Sequence, residues 1–263
     1  MSRFCQAGLL AGMLLTTSLS VATEPAELTP KQPSSKKLSP QEKAFQQRVK
    51  VPKPKRFVSA AQWGSRPDPI DDDRRHAPRR VMLHHAGVLW TTDRDPVQFI
   101  RNMQSWGKRR PEIEKPPRNT YWPDLPYHFL IAPDGTIYEG RSLEYEPETN
   151  TKYKLAGTLG VELMGNFEAQ RPSPAQVESA VQLVAWLVSR YDLPSEAITT
   201  HAKVAKGQTG CPGRDFARYF DEETAHFKQW VEQVLQGKPL VIDLGEPLKD
   251  GPTQLITETK RAD

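Results

Sequence analysis

Short apolar runs separated by long polar stretches set the elements this chain predicts. Arg80 to His85 (RVMLHH) is flanked by polar sequence and reads as a β-strand. Asp95-Pro96 then supplies an N-cap with proline at the first helical position, and Val97, Ile100, Met103 and Trp106 follow at helical spacing. Gly107 to Pro126 is proline-rich and charged, which predicts a long loop rimming a cleft. Tyr127 to Ala132 and Thr136 to Glu139 flank Pro133-Asp134-Gly135, a hairpin signal, and Thr158 to Met164 (TLGVELM) reads as a further strand. Ser173-Pro174-Ala175-Gln176 has capping-box form and precedes an apolar face of Val177, Ala180, Val181, Val184, Leu187 and Val188. A third helix is expected from Asp215 to Leu235, while residues 237–263 lack periodicity and predict a tail. Strands interleaved with helices predict an α/β fold, a central mixed β-sheet flanked by α-helices.

The ends of the chain follow other rules. Arg3 precedes an uncharged apolar stretch, Ala7 to Ala22, that closes on Ser20-Val21-Ala22, the pattern of a cleavable secretory signal over residues 1–22. Residues 23–56 carry nine Lys or Arg against three Glu and few apolar side chains, so they read as a basic Pro/Lys/Ser-rich linker. This places the folded domain at 57–236 and the protein outside the cytoplasm, in the periplasm, cell envelope or medium. No later segment is long and apolar enough to span a bilayer, so no stable membrane insertion is expected after signal cleavage. A formal charge of +4 alone is a weak pointer to nucleic acid, and no helix-turn-helix, RNP-like or zinc-finger pattern supports one. An anionic cell-wall polymer is the better partner for an exported basic protein. Nothing in the pattern sets an oligomeric state.

Beyond the signal, Cys211 is the single cysteine, and it follows His201 by ten residues. A lone thiol cannot form an internal disulfide, whereas a thiolate, the His201 imidazole and a histidine from His84-His85 suit zinc and leave its fourth position for water. Strand parity puts His84 with Met82 and His85 with the apolar Val81 and Leu83, which favours His84 as the ligand. A closed structural site would need a fourth ligand such as His76, His128 or His226. Glu162 faces away from Val161 and Leu163 and could act as a general base or simply form an edge-strand ion pair. Tyr127 and Thr209 could each donate to an oxyanion, or pack and cap a turn.

The motifs WGSRP (Trp63 to Pro67), LHHAG (Leu83 to Gly87), YHFLIAPDGTIYEGR (Tyr127 to Arg141), LGVELMGNF (Leu159 to Phe167) and TGCPG (Thr209 to Gly213) occur in one order. Together they resemble the type-2 N-acetylmuramoyl-L-alanine amidases, and especially the peptidoglycan recognition protein branch. The resemblance implies a mixed sheet with flanking helices and a zinc in a peptide-binding groove. It implies His84, His201 and Cys211 as metal ligands, with Glu162, Tyr127 and Thr209 as catalytic residues. The implied reaction is hydrolysis of the amide between N-acetylmuramic acid and L-alanine, with peptidoglycan or muropeptides as partner; the alternative is a non-catalytic binding module of the same fold. Two departures stand out: the chain carries both Tyr127 and Glu162, and KVAKGQ lengthens the His201–Cys211 spacing. The disulfide usual beside the first histidine in recognition proteins has no cysteines to form it. Arg141 and the basic stretch Lys108 to Arg118 are candidates to meet stem-peptide carboxylates.

Overall fold

The computed structural model describes residues 47–116, 118–221 and 226–260. The expected signal and residues 23–46 of the basic stretch lie outside the described residues. In chain order the regular elements are β1 (Phe57–Val58), α1 (Ala60–Trp63), β2 (Arg80–His85), α2 (Pro96–Ile113), β3 (Phe129–Ile131), β4 (Ile137–Glu139), β5 (Thr158–Leu163), α3 (Pro174–Tyr191), β6 (Ile198–Thr200), α4 (His201–Val204), α5 (Arg214–Ala217) and α6 (His226–Leu235), with short 3-10 turns between some of them. The strands form one six-stranded sheet in the order β1-β4-β3-β5-β2-β6. Only the β3–β4 hairpin pairs antiparallel; every other neighbour is parallel. The mixed sheet with flanking helices expected from the sequence is therefore what the chain adopts.

Sheet register sorts the side chains. His84 pairs with Glu162, Glu162 with Leu130, and Met82 with Gly160, so these residues share one face. Val81, Leu83, Val161 and Phe129 occupy the other, where Phe129 meets Trp186 of α3 edge-on at 6.1 Å. Helix α3 starts as its sequence dictates: Ser173 accepts the Gln176 N–H and Pro174 occupies the first turn. Its Val177, Ala180, Val181, Val184, Leu187 and Val188 are all fully buried. The hairpin turn sits on the start of this helix. Gly135 has φ +85°, and a Cβ there would lie 2.7 Å from the Ala175 carbonyl oxygen and from Ser179 Oγ, so only glycine fits.

Three expectations are corrected. First, α2 does not end at Gly107 but continues to Ile113 through Pro111. Proline cannot donate to the carbonyl four residues back, and that carbonyl, of Gly107, accepts the Trp122 N–H at 3.1 Å instead. Arg110 anchors the extra turn, wholly buried with its guanidinium 3.8 Å from the Trp122 ring centroid and 5.0 Å from that of Trp106. Second, the helix expected from Asp215 to Leu235 is broken: α5 passes into a 3-10 turn over Arg218–Phe220, and Asp221 is extended. The buried Asp215 carboxylate between Arg171 and Arg218, each 3.7 Å away, pins the first piece. The break lets Phe220 stack on Phe227 at 4.7 Å. Third, residues 47–56 belong to the packed structure. The Val49 N–H donates to Leu235 O at 2.7 Å, Val51 N–H to Ser189 Oγ at 3.1 Å, and Arg48 pairs with Glu232.

The segment after α6 wraps the surface. Arg171 and residues 254–256 exchange backbone hydrogen bonds of 2.9 Å, and Ile256 is fully buried. Among the described residues no helix is long and apolar enough to cross a membrane.

Candidate metal centre

Three elements deliver donor atoms to one point. His84 is the penultimate residue of β2. His201 opens α4 directly after β6, where Thr200 caps the helix. Cys211 follows in a loop tied back by the Ala202 N–H, which donates to the Cys211 carbonyl at 2.7 Å. The Cys211–Pro212 peptide is cis. The donor atoms of His84, His201 and Cys211 all lie within 4.8 Å of one another. The thiol sulfur is 3.6 Å from His84 Nδ1, and the two imidazole centroids are 4.7 Å apart.

Burial gives these groups the protonation that a soft divalent cation requires. Desolvation, reinforced by the neighbouring histidines, drives His84 well below its ordinary value, and desolvation takes His201 down to about 4. Both are neutral imidazoles with lone pairs to offer. Desolvation pushes the Cys211 thiol up to about 12, a cost that a bound cation reverses by stabilising the thiolate. Two imidazoles and one sulfur with donor atoms within 4.8 Å of one another fit zinc by the chemistry of the donor set.

Glu162 is fully exposure-free and in register with His84. Among the described residues neither of its carboxylate oxygens has a hydrogen-bond partner, and desolvation raises its carboxyl well above the ordinary range. Tyr127 lies just before β3, its ring 4.9 Å from that of His84. Desolvation first, then the nearby Glu162, hold its phenol well above the usual value. Gly160 makes room for both rings: a Cβ there would lie 3.4 Å from Tyr127 Cδ1 and 3.9 Å from His84 Nε2, so any longer side chain would enter the space between them. Thr209 Oγ1 accepts the Cys211 N–H at 3.1 Å, leaving its own O–H free to donate.

The other histidines stand apart from this group. His85 Nδ1 accepts the Phe167 N–H at 3.2 Å. His76 and His128 stack on each other with 5.8 Å between centroids. His226 sits on α6 beside Trp230. Arg141 and Arg110 are not available to a ligand's carboxylates: Arg141 is 1% exposed and bonded to Glu148 at 3.0 Å, and Arg110 is held by Glu114 and Asn150. Two residues that sequence reasoning passed over touch His201. Thr151 Oγ1 lies 2.6 Å from its Nε2, and the Tyr153 ring meets it edge-on at 5.6 Å. A threonine in a polar loop carries no signal that would have marked it.

Residues 74–214 of the 263 match the family model for N-acetylmuramoyl-L-alanine amidase, and the chain belongs to that family. Similar curated proteins include peptidoglycan-recognition proteins of insects and mouse. Peptidoglycan-recognition protein SD of Drosophila simulans is 30% identical over 142 residues, covering 52% of this chain and 69% of that protein. Peptidoglycan recognition protein 1 of Mus musculus is 28% identical over 135 residues, covering 51% of this chain and 69% of its own. The solved structure of wild-type Drosophila PGRP-LB superposes with a TM-score of 0.52 at 24% identity, covering 64% of this chain and 94% of that one, a likeness of fold.

Proposed function

We propose that this chain is a zinc-dependent hydrolase that cleaves the amide between N-acetylmuramic acid and the L-alanine of the peptidoglycan stem peptide. One observation carries the reading: a His84, His201 and Cys211 donor set lies beside a buried carboxylate that no other described residue satisfies. Zinc held by these three residues would supply a Lewis acid that acidifies water and polarises a carbonyl. Glu162 accepts the proton of the attacking water and returns it to the departing amine. Burial raises its carboxyl, and a cation held by the three ligands would lower it, so that it could serve both transfers. Tyr127, kept neutral by burial, donates its hydroxyl to the developing oxyanion, and Thr209, bonded to the Cys211 N–H, supplies a second O–H donor.

Family membership and the peptidoglycan-recognition relatives support peptidoglycan or muropeptides as the ligand. The signal-like first 22 residues support an exported protein working in the periplasm or envelope. A second reading, binding without cleavage, is favoured by the names of those relatives; a structure of the same fold, at 22% identity and a TM-score of 0.51, is that of tracheal cytotoxin bound to the ectodomain complex of PGRP-LCa and PGRP-LCx. The full donor set argues for cleavage. Incubating the purified chain with muropeptides, with metal analysis alongside, separates the two. Release of free stem peptide by a protein carrying one zinc per chain is the expected result; retention of intact muropeptide without release leaves a binding module.

A further inference from the structure

The His201 ring is fixed from three directions. His84 lies against it at 4.7 Å, Tyr153 meets it edge-on, and Thr151 Oγ1 is 2.6 Å from Nε2. Thr151 is itself held: its Oγ1 is 2.9 Å from Thr149 Oγ1, which also accepts the Thr151 N–H at 3.1 Å. With Nε2 engaged in this way, Nδ1 is the nitrogen left to face His84 and Cys211. An imidazole that binds a cation through Nδ1 carries its proton on Nε2. That proton points at Thr151 Oγ1, which accepts it and turns its own hydroxyl proton toward Thr149. The chain from His201 through Thr151 to Thr149 then runs in one direction.

The loop carrying Thr151 is clamped at both flanks. Asn150 Oδ1 accepts from the buried Arg110 guanidinium at 2.6 Å. Lys152 N–H donates to Gln208 Oε1 at 2.7 Å, and Gln208 Nε2 donates back to the Lys152 carbonyl at 3.2 Å. Gln208 belongs to KVAKGQ, the stretch that lengthens the spacing between His201 and Cys211. The longer spacing thus supplies the residue that locks the loop against the metal-binding segment.

Resting on the zinc-hydrolase reading, we infer that Thr151 is a positioning residue: it holds His201 in the tautomer and ring rotation that present Nδ1 to the metal. An outer partner of this kind typically sets metal affinity by about 10–100-fold. The test is zinc affinity of the full chain, by competition with a chromogenic chelator, for the parent, Thr151→Val, Thr151→Ser and Thr149→Val. Valine keeps the shape and loses the acceptor, so zinc binding weakens by about tenfold or more, whereas serine restores the parental value. Thr149→Val, which removes the next link and the acceptor of the Thr151 N–H but leaves the Thr151 hydroxyl on His201, gives a smaller loss. A folded Thr151→Val protein with parental zinc affinity overturns the proposal. Should that variant fail to fold, parental affinity in Thr149→Val does so. If the parent takes up zinc and releases stem peptide while Thr151→Val binds zinc equally well, only the positioning role falls; a parent that takes up no zinc removes both readings.

Discussion

Two pairs of facing histidines, each with one buried and one half-buried member, flank this sheet, and only one can serve a metal. In the His76–His128 pair every ring nitrogen is claimed. His128 Nδ1 accepts the Gly160 N–H at 2.9 Å and its Nε2 faces the Tyr145 carbonyl at 2.8 Å. His76 repeats the scheme with the Gly157 N–H at 3.0 Å and the Leu143 carbonyl at 3.2 Å. In the His84–His201 pair, Thr151 takes one nitrogen of His201, and the closest polar partner of His84 Nδ1 is the Cys211 sulfur. Desolvation lowers all four imidazoles, so neutrality is common to both pairs. What differs is whether the backbone has already used the lone pairs, and that decides between a structural clamp and a coordination site.

The largest break in this contrast is expected at the sulfur. Cys211→Ser should lower zinc content and reduce release of stem peptide by more than about a hundredfold, beyond the effect of an outer-shell partner. Elemental analysis and mass spectrometry of digested muropeptide check this, and full activity without metal would sink the mechanism. Glu162→Gln should keep the zinc yet slow turnover by about 10²–10⁴-fold, the usual contribution of a general base. Zinc loss in that variant would make Glu162 part of the ligand set rather than the base.

The structural pair should respond in the opposite sense. His128→Phe leaves the Gly160 N–H and the Tyr145 carbonyl without partners, at about 1–3 kcal/mol each, while the zinc content stays parental. Urea denaturation measures the first and metal analysis the second. The same histidine predicts an acid limb. Burial lowers His128 to about 3, so between the ordinary histidine value near 6.5 and about 3 the unfolded chain binds a proton that the native chain refuses. Stability should therefore decline as pH falls through that window, and the decline should flatten in His128→Phe. The smallest effect belongs to exposed His226 on α6: replacing it with alanine should shift stability by less than about 0.5 kcal/mol and leave zinc binding unchanged.

Local signals and long-range ones separate cleanly along this chain. Strand β2, the β3–β4 hairpin and the N-terminus of α3 were legible because each is encoded by neighbours in sequence: an apolar run, a Pro-Asp-Gly turn, a serine cap followed by proline. The end of α2 was not, because Gly107 and Pro111 are helix-weakening by local rules and are rescued by Trp122, more than ten residues on. The break before α6 was equally hidden, since it is made by Arg171 reaching Asp215 from another part of the chain. Residues 47–56 look like linker by composition and are packed through backbone bonds to Leu235 and the Ser189 side chain.

The donor set shows the same division. A lone cysteine near a histidine, and strand parity at His84-His85, mark His84, His201 and Cys211 as a group from sequence, because ligand chemistry restricts residue type. Parity also placed Glu162 away from its apolar neighbours. By itself, then, the amino-acid order determined the alternation of strands and helices, the family and the candidate donors, all of which depend on residue identity and short spacing. Tertiary structure alone decided which histidines keep a free lone pair, that Arg110 and Arg141 are buried ion-pair centres, and that Thr151 reaches His201. Those outcomes depend on hydrogen-bond partners far apart in sequence, brought together only when the sheet register and the loops around it close.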